Sequence, residues 1–94
     1  MNSGRGRLSG NSVIITGGTQ GIGKALVLKF AKEGADVLFC YLSSKELSEN
    51  LMSQTSNSSG TIIGFQADIR DRELVEALVI LAGEKFGRID TLIN

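Results

Sequence analysis

The feature that most constrains this chain is a regular alternation of short apolar runs with helical patterns. Runs of strand length begin near residues 12, 36, 61 and 91, so a strand–helix unit recurs after 24, 25 and 30 residues. Strands that alternate with helices pair in parallel, and the helices cover the sheet. The runs are continuously apolar, as is typical of strands buried on both faces. The sequence therefore predicts an α/β fold with a doubly wound parallel sheet.

The expected elements follow from periodicity and from capping residues. The predicted strands are Ser12–Thr16, Asp36–Leu42, Thr61–Phe65 and Thr91–Asn94. The first predicted helix is Ile22–Glu33, which ends at Gly34. The second is capped by Ser43 or Ser44 and runs to about Gln54. The third is capped by Asp71 and runs through Phe86 to Gly87. The third helix is expected to turn one apolar stripe to the core, made of Leu74, Val75, Leu78, Val79 and Ala82. Residues 1–11 are polar and glycine-rich, and we expect a flexible leader before the domain of residues 12–94.

Composition excludes several classes of function. Ten basic residues balance ten acidic residues, which argues against a nucleic-acid partner. The chain has no histidine, so His-dependent triads and His-ligated zinc are excluded, and we predict no metal site. A single cysteine, Cys40, cannot form an internal disulfide and is predicted to be a small buried apolar residue. No apolar run approaches the roughly 20 residues of a membrane span, and no export signal is visible, so we expect a cytoplasmic protein.

A glycine-rich turn joins the first strand to the first helix. It reads Thr16-Gly17-Gly18-Thr19-Gln20-Gly21-Ile22-Gly23. A phosphate at such a turn needs backbone N–H groups, a helix N-terminus and no side chains in the way. Gly17 permits the tight turn, Gly21 lets the backbone approach a pyrophosphate, and Gly23 lets the helix pack on the strand.

Two other glycine patterns fit this turn less well. The spacing G-x-G-x-x-G does not occur in it. The P-loop pattern runs from Gly18 to Gly23 and Lys24 but fails at Ala25, where a hydroxyl should hold Mg²⁺. A P-loop-like phosphotransferase remains an alternative to a dinucleotide-binding protein.

The pattern T-G-x-x-x-G-I-G fits every position from Thr16 to Gly23. Together with Ala67-Asp68-Ile69 after the third strand and Gly87–Asn94 at the fourth, it resembles the short-chain dehydrogenase/reductase family over about Leu8–Asn94. The resemblance implies a Rossmann-type fold and an NAD(P)-dependent oxidoreductase that acts on a small carbonyl or alcohol substrate. It also implies a homo-oligomer when the protein is complete.

The resemblance assigns roles to particular residues. Gly17, Gly21 and Ile22 would surround the pyrophosphate, and Thr19 and Gln20 would line the adenosine side. Asp68 would bond the adenine amino group with Ile69 beside it, and Asn94 would lie near the adenosine ribose. The predicted cofactor residues are Gly17, Thr19, Gln20, Gly21, Ile22, Gly23, Tyr41, Ser43, Ser44, Asp68, Ile69 and Asn94.

The second strand predicts which nicotinamide cofactor binds. NAD sites place an acid at the carboxyl end of this strand, where it bonds the ribose 2′-hydroxyl. Asp36 lies at the other end, about 16 Å away at ~3.3 Å per residue. The carboxyl end instead reads Tyr41-Leu42-Ser43-Ser44-Lys45, with hydroxyls and a lysine that can attract a 2′-phosphate. We therefore expect NADP to be preferred over NAD.

The residues expected to perform catalysis in this family are missing. They are a Ser and a Tyr-x-x-x-Lys pair far downstream. Tyr41 and Lys45 match that spacing, but Tyr41 ends a strand and is not expected to be the catalytic tyrosine. We expect the chain to be an inactive N-terminal fragment, truncated after the start of the fourth strand, of a longer reductase similar to 3-oxoacyl-acyl-carrier-protein reductases. A truncated, non-catalytic nucleotide-binding module is the other alternative.

Overall fold

The computed structural model describes residues 10–16, 21–42, 45–68 and 70–93. Its elements in chain order are β1 (Ser12–Ile15), α1 (Gly21–Lys32), β2 (Asp36–Tyr41), α2 (Lys45–Gln54), β3 (Ile62–Gln66), α3 (Arg72–Phe86) and β4 (Thr91–Ile93). Every element predicted from the sequence is present, and each boundary agrees to within about one residue, which is within the ordinary fraying of element ends. Most of the predicted leader, residues 1–9, lies outside the described residues, while the Asn11 carbonyl accepts a hydrogen bond from the Asp36 N–H at 2.8 Å.

The strands form one parallel sheet in the order β3-β2-β1-β4. In the register, Ile14 pairs with Leu38 on one side and with Leu92 on the other. The chain moves outward from β1 through β2 to β3 and then returns to the opposite side of β1 as β4. This reversal confirms the predicted doubly wound topology.

Alternate residues of the central strands enter two separate cores. Val13, Ile15, Val37 and Phe39 pack with Val27 of α1 and Leu51 of α2 on one face of the sheet. Ile14, Leu38 and Cys40 pack with Leu78 and Ala82 of α3 on the other face. Since both sets are apolar, the strands are continuous apolar runs, as the sequence predicts.

Local capping signals set the ends of α3. The Asp71 side chain accepts hydrogen bonds from the N–H groups of Glu73 and Leu74, which confirms the predicted N-cap. Gly87 follows the helix with φ +81° and donates its N–H to the Gly83 carbonyl. This is the left-handed cap that glycine adopts without steric cost.

The prediction for the apolar stripe of α3 is only partly right. Leu78 and Ala82 are buried, but Leu74 is 37% exposed and Val79 is 43% exposed. The helix packs Leu78 and Ala82 against β1 and β2, with other apolar side chains of α3 partly buried beside them. Leu74 and Val79 are only partly covered by the described residues. Helical periodicity identifies which residues share a side, whereas burial depends on what lies opposite. Among the described residues, no helix is long and apolar enough to cross a membrane.

Candidate functional site

The carboxyl ends of the four parallel strands meet at one edge of the sheet, which we call the carboxyl edge. The Thr16 N–H donates to the Ile93 carbonyl at 2.9 Å, which joins the ends of β1 and β4. The Ala67 N–H donates to the Tyr41 carbonyl at 3.0 Å, which joins the ends of β3 and β2. Because the chain reverses direction around β1, this edge contains the switch point at which doubly wound sheets bind ligands.

The N-terminus of α1 opens onto this edge. Gly21 has φ +56°, a conformation that residues with a Cβ seldom adopt, and a Cβ placed there would meet nothing within 4 Å. Ile22 is 81% exposed. Gly23 is half-buried on the first turn of the helix. Gly17, Thr19 and Gln20, the other predicted residues of this turn, lie outside the described residues.

Asp68 lies between β3 and α3, at the same edge. Its carboxylate forms a two-pronged ion pair with Arg70, with Nη2 at 2.7 Å from Oδ2 and Nε at 3.0 Å from Oδ1. These bonds hold the pKa of Asp68 at about 2, below its ordinary range. The carboxylate is therefore ionised at neutral pH and can accept hydrogen bonds from a ligand.

The carboxyl end of β2 lies only partly within the described residues. Tyr41 is half-buried, with its ring centroid 6.4 Å from that of Phe39, and Leu42 is exposed. Neither of these residues is an acid, and Lys45 begins α2 in an exposed position. Tyr41 and Lys45 thus belong to different elements and do not share a helix face. Ser43 and Ser44, between them, lie outside the described residues.

Asp36 lies at the opposite edge of the sheet, as predicted. Its Oδ1 accepts the Thr61 N–H at 2.8 Å, at the start of β3. The carboxylate therefore completes the hydrogen bonding of the next strand. Asp36 is the first of the six residues of β2, at the end away from the carboxyl edge, so it does not reach a ligand there.

An apolar cavity of about 160 Å³ lies under the carboxyl edge on the α3 side. Its walls are Ile14, Thr16, Cys40, Ala67, Val75, Leu78, Val79 and Leu92. Ala67, directly before Asp68, forms part of the wall. Cys40 is 2% exposed, which confirms the prediction of a small buried residue, and burial raises the pKa of its thiol to about 11.

Sequence analysis did not identify Arg70 as part of this region. The available signal was a basic residue two positions after a candidate carboxylate, a spacing too common to be specific. Ile69 and Asn94, both predicted at the site, lie outside the described residues. In the described ranges, no group of three or more acidic or cysteine side chains is arranged to hold a metal ion.

Comparison with known proteins identifies close structural relatives. A short-chain dehydrogenase from Burkholderia cenocepacia, solved in complex with NADP, superposes with a TM-score of 0.88 at 35% identity, over 94% of this chain and 36% of that one. A short-chain dehydrogenase/reductase from Serratia marcescens superposes with a TM-score of 0.84 at 34% identity, over 90% of this chain and 35% of that one.

Sequence relatives have the same character. The 3-oxoacyl-[acyl-carrier-protein] reductase of Thermotoga maritima is 36% identical over 88 residues, which are 94% of this chain and 35% of that protein. Hydroxysteroid dehydrogenase-like protein 2 of Mus musculus is 36% identical over an aligned length of 95 residues, and the alignment covers 95% of this chain and 19% of that protein. The chain thus spans between 19% and 36% of the length of its first curated relatives.

A family model described as short chain dehydrogenase matches residues 11–94, which include all seven elements of the fold. The parallel order β3-β2-β1-β4, the open N-terminus of α1 and the carboxylate after β3 all belong to this matched region. The chain therefore belongs to the short-chain dehydrogenase family.

Proposed function

We propose that the protein containing this chain is an NADP-dependent oxidoreductase that transfers hydride between the nicotinamide and a small carbonyl or alcohol substrate. The 94 residues supply the cofactor-binding half. The observation that carries the cofactor preference is the absence of an acid from the described carboxyl end of β2, at Tyr41 and Leu42. The solved relative in complex with NADP supports the same choice.

The preference follows from electrostatics at the adenosine ribose. An acid at the end of β2 would accept a bond from the 2′-hydroxyl of NAD and would repel the 2′-phosphate of NADP. Asp36 cannot take that role because it bonds the Thr61 N–H at the opposite edge. Lys45, exposed at the start of α2, contributes a positive charge near the end of β2. We assign Ser43 and Ser44 as donors to the same phosphate.

The remaining residues of the proposed site fit a dinucleotide. Gly17, Gly21 and Ile22 would surround the pyrophosphate at the N-terminus of α1, and Gly23 would let that helix pack on β1. Thr19 and Gln20 would line the adenosine side, with Tyr41 at its ribose end. Asp68 would accept the adenine amino group, with Ile69 beside the ring and Asn94 near the ribose. When bound, the cofactor supplies the hydride, and these residues orient it.

The cofactor preference is tested on the intact protein, as its gene encodes it. We expect NADPH to bind at least about tenfold more tightly than NADH, since phosphate–lysine contacts are charge-assisted hydrogen bonds. Fluorescence titration of both cofactors measures this ratio. Lys45→Ala should reduce it, whereas Lys85→Ala, a matched change near the end of α3, should not. Tighter binding of NADH by the unmodified protein would refute the preference.

The substrate proposal is a 3-oxoacyl thioester, since a 3-oxoacyl-[acyl-carrier-protein] reductase is among the relatives at 36% identity. Oxidation of NADPH by an acetoacetyl thioester, compared with reduction of NADP⁺ by sugar and hydroxysteroid substrates, tests it. Faster turnover of a sugar or steroid would replace this substrate class while leaving the cofactor proposal intact.

We propose that the catalytic Ser, Tyr and Lys lie outside these 94 residues and that the chain alone is inactive. We further propose a cytoplasmic homo-oligomer for the intact protein. The comparisons with known proteins give no support to the phosphotransferase alternative or to a purely non-catalytic module.

A further inference from the structure

The Asp68 carboxylate is held by one neighbour on both of its oxygens. Oδ1 accepts the Arg70 N–H at 2.9 Å and the Arg70 Nε–H at 3.0 Å. Oδ2 accepts the Nη2–H at 2.7 Å. The Nε–H is shared between the two carboxylate oxygens, and Nε lies 3.2 Å from Oδ2, which is farther than its 3.0 Å from Oδ1. A guanidinium fork fixes the plane of a carboxylate, which a single-point contact does not.

The acceptor positions on the Asp68 carboxylate that Arg70 does not use are the ones available to a ligand. A carboxylate has two acceptor positions on each oxygen. Both positions of Oδ1 are used by Arg70. Among the described residues, Oδ2 has one short donor, Nη2, and the Nε–H that lies 3.2 Å away is directed mainly at Oδ1, so one position of Oδ2 has no described donor of its own. Arg70 and a ligand donor can thus be bound by Asp68 at the same time, with the ligand on Oδ2.

The turn that contains this pair is fixed independently of the guanidinium. The Asp68 carbonyl accepts the Asp71 N–H at 2.9 Å, and the Asp71 side chain caps α3. Removing the Arg70 side chain therefore leaves the backbone of the turn supported. The Arg70 side chain is 84% exposed, and among the described residues its guanidinium bonds Asp68 alone. Its effect is confined to the orientation and charge of one carboxylate.

We propose that Arg70 is a positioning residue for the adenine of the cofactor: its guanidinium fork holds the Asp68 carboxylate so that Oδ2 accepts the adenine amino group. This inference rests on the proposed adenine contact of Asp68. It adds that the selectivity of the site for an amino group depends on a residue that does not touch the base.

The test uses the intact protein and two cofactors, NADPH and its hypoxanthine analogue, in which a carbonyl oxygen replaces the amino group. The readout is the ratio of their dissociation constants, which a general loss of stability does not change. The variants are Arg70→Ala, Arg70→Lys and Asp68→Asn. Arg72→Ala is the matched control, because Arg72 is an exposed arginine in the next turn.

We expect the unmodified protein and Arg72→Ala to prefer NADPH by about tenfold or more, because a carboxylate accepts from the amino group and repels the carbonyl. Arg70→Ala should reduce the ratio at least about threefold, because the hydrogen bond from the amino group to a misoriented carboxylate is weaker. Arg70→Lys should resemble Arg70→Ala, since an ammonium lacks the fork. Asp68→Asn should reduce the ratio to about one, because its amide can donate to the carbonyl.

Each contrary result has a separate meaning. If Asp68→Asn lowers the ratio and Arg70→Ala does not, the positioning role is wrong and the adenine contact stands. If Arg70→Lys retains the full ratio, charge and not orientation is responsible, which also overturns the proposal. If Asp68→Asn leaves the ratio unchanged, the adenine contact itself is wrong. If NADPH does not bind, the proposed function fails.

Discussion

Aspartates at the amino edge of the sheet hold strands together, whereas Asp68 at the carboxyl edge remains able to accept a further bond. Asp90, just before β4, accepts the Ser12 N–H on Oδ2 at 2.8 Å and pairs with the Arg88 guanidinium through Oδ1. The Asp90 N–H returns a bond to the Ser12 carbonyl at 2.9 Å. Two hydrogen bonds keep the pKa of Asp90 below its ordinary value: the one from the Arg88 guanidinium has the larger effect, and the one from the Ser12 N–H has the smaller.

Replacing Asp90 should therefore destabilise the protein in a pH-dependent way. A lowered carboxyl pKa stabilises the fold above the ordinary value of about 4, and that stabilisation disappears as the pH falls through the lowered pKa. Asp90→Ala should reduce the urea midpoint of the intact protein at pH 7, and its deficit relative to the unmodified protein should shrink as the pH falls below the ordinary carboxyl value of about 4. Glu84→Ala, on the exposed side of α3, is the control. A deficit that stays constant with pH would contradict the ion-pair origin.

Cys40 allows a chemical test of the core. Its thiol is buried against Ile14 and Leu38, and raising its pKa from 9.0 to about 11 lowers the thiolate fraction at neutral pH roughly 100-fold. We expect a disulfide reagent to leave Cys40 unmodified in the native intact protein and to label it fully in denaturant. Peptide-resolved mass spectrometry measures both states. Rapid native labelling would mean that this face of the sheet opens.

Packing between elements limits residue size at Gly60, where the neighbouring atoms belong to the backbone. Gly60 precedes β3 and passes close to the turn between α1 and β2, where a Cβ would lie 2.2 Å from the Ala35 carbonyl oxygen. Since that atom belongs to the backbone, the clash cannot be relieved by a side-chain rotation. The sequence alone identifies residues 55–60 as a polar loop but does not reveal this contact, because its partner is 25 residues away.

Two glycine-to-alanine substitutions should consequently have opposite effects. Gly60→Ala should cost about 1–3 kcal/mol of unfolding free energy, because a backbone segment must shift. Gly83→Ala should add about 0.5–1 kcal/mol, because Gly83 lies inside α3 with nothing within 4 Å of its added Cβ. Urea unfolding of both variants of the intact protein measures the difference. Equal effects would show that the contact at Gly60 is relieved at little cost.

At the scale of the whole molecule, the described residues leave apolar surface exposed on α3 and on β4. Ile80 is 61% exposed and Leu92 is 59% exposed, and Val79 and Leu92 also line the cavity. Among the described residues nothing covers this surface, and β4 has a strand on one side only. Exposed apolar area and an unpaired strand edge both favour association.

We therefore expect these 94 residues, expressed alone, to aggregate and to unfold without a cooperative thermal transition. The double change Ile80→Lys with Leu92→Lys should reduce aggregation, because charges on the exposed surface oppose association. Light scattering during a thermal scan measures both properties. A soluble monomer with a sharp calorimetric transition would show that the exposed surface is tolerated.

The proposed cofactor site was only partly accessible to sequence reasoning. The glycine pattern and the acid-free end of β2 are local features, so they are visible in the residue order. The fork between Arg70 and Asp68 is also local, but many side-chain orientations are compatible with that spacing, and the fold selects one. The cavity lined by Thr16, Cys40 and Leu92 joins three strands, so no single stretch of sequence contains it.

The order of the elements and their capping residues were determined by the sequence itself, because periodicity and capping act over a few neighbouring residues. Ser12, Asp36 and Thr91 begin their strands as predicted, and Asp71 and Gly87 flank α3. Only the tertiary structure decided which side of α3 is covered, how close Gly60 comes to Ala35, and how Thr16 and Ile93 join β1 to β4. These features depend on pairs of residues far apart in the chain, whose approach is set by the packing of the whole sheet.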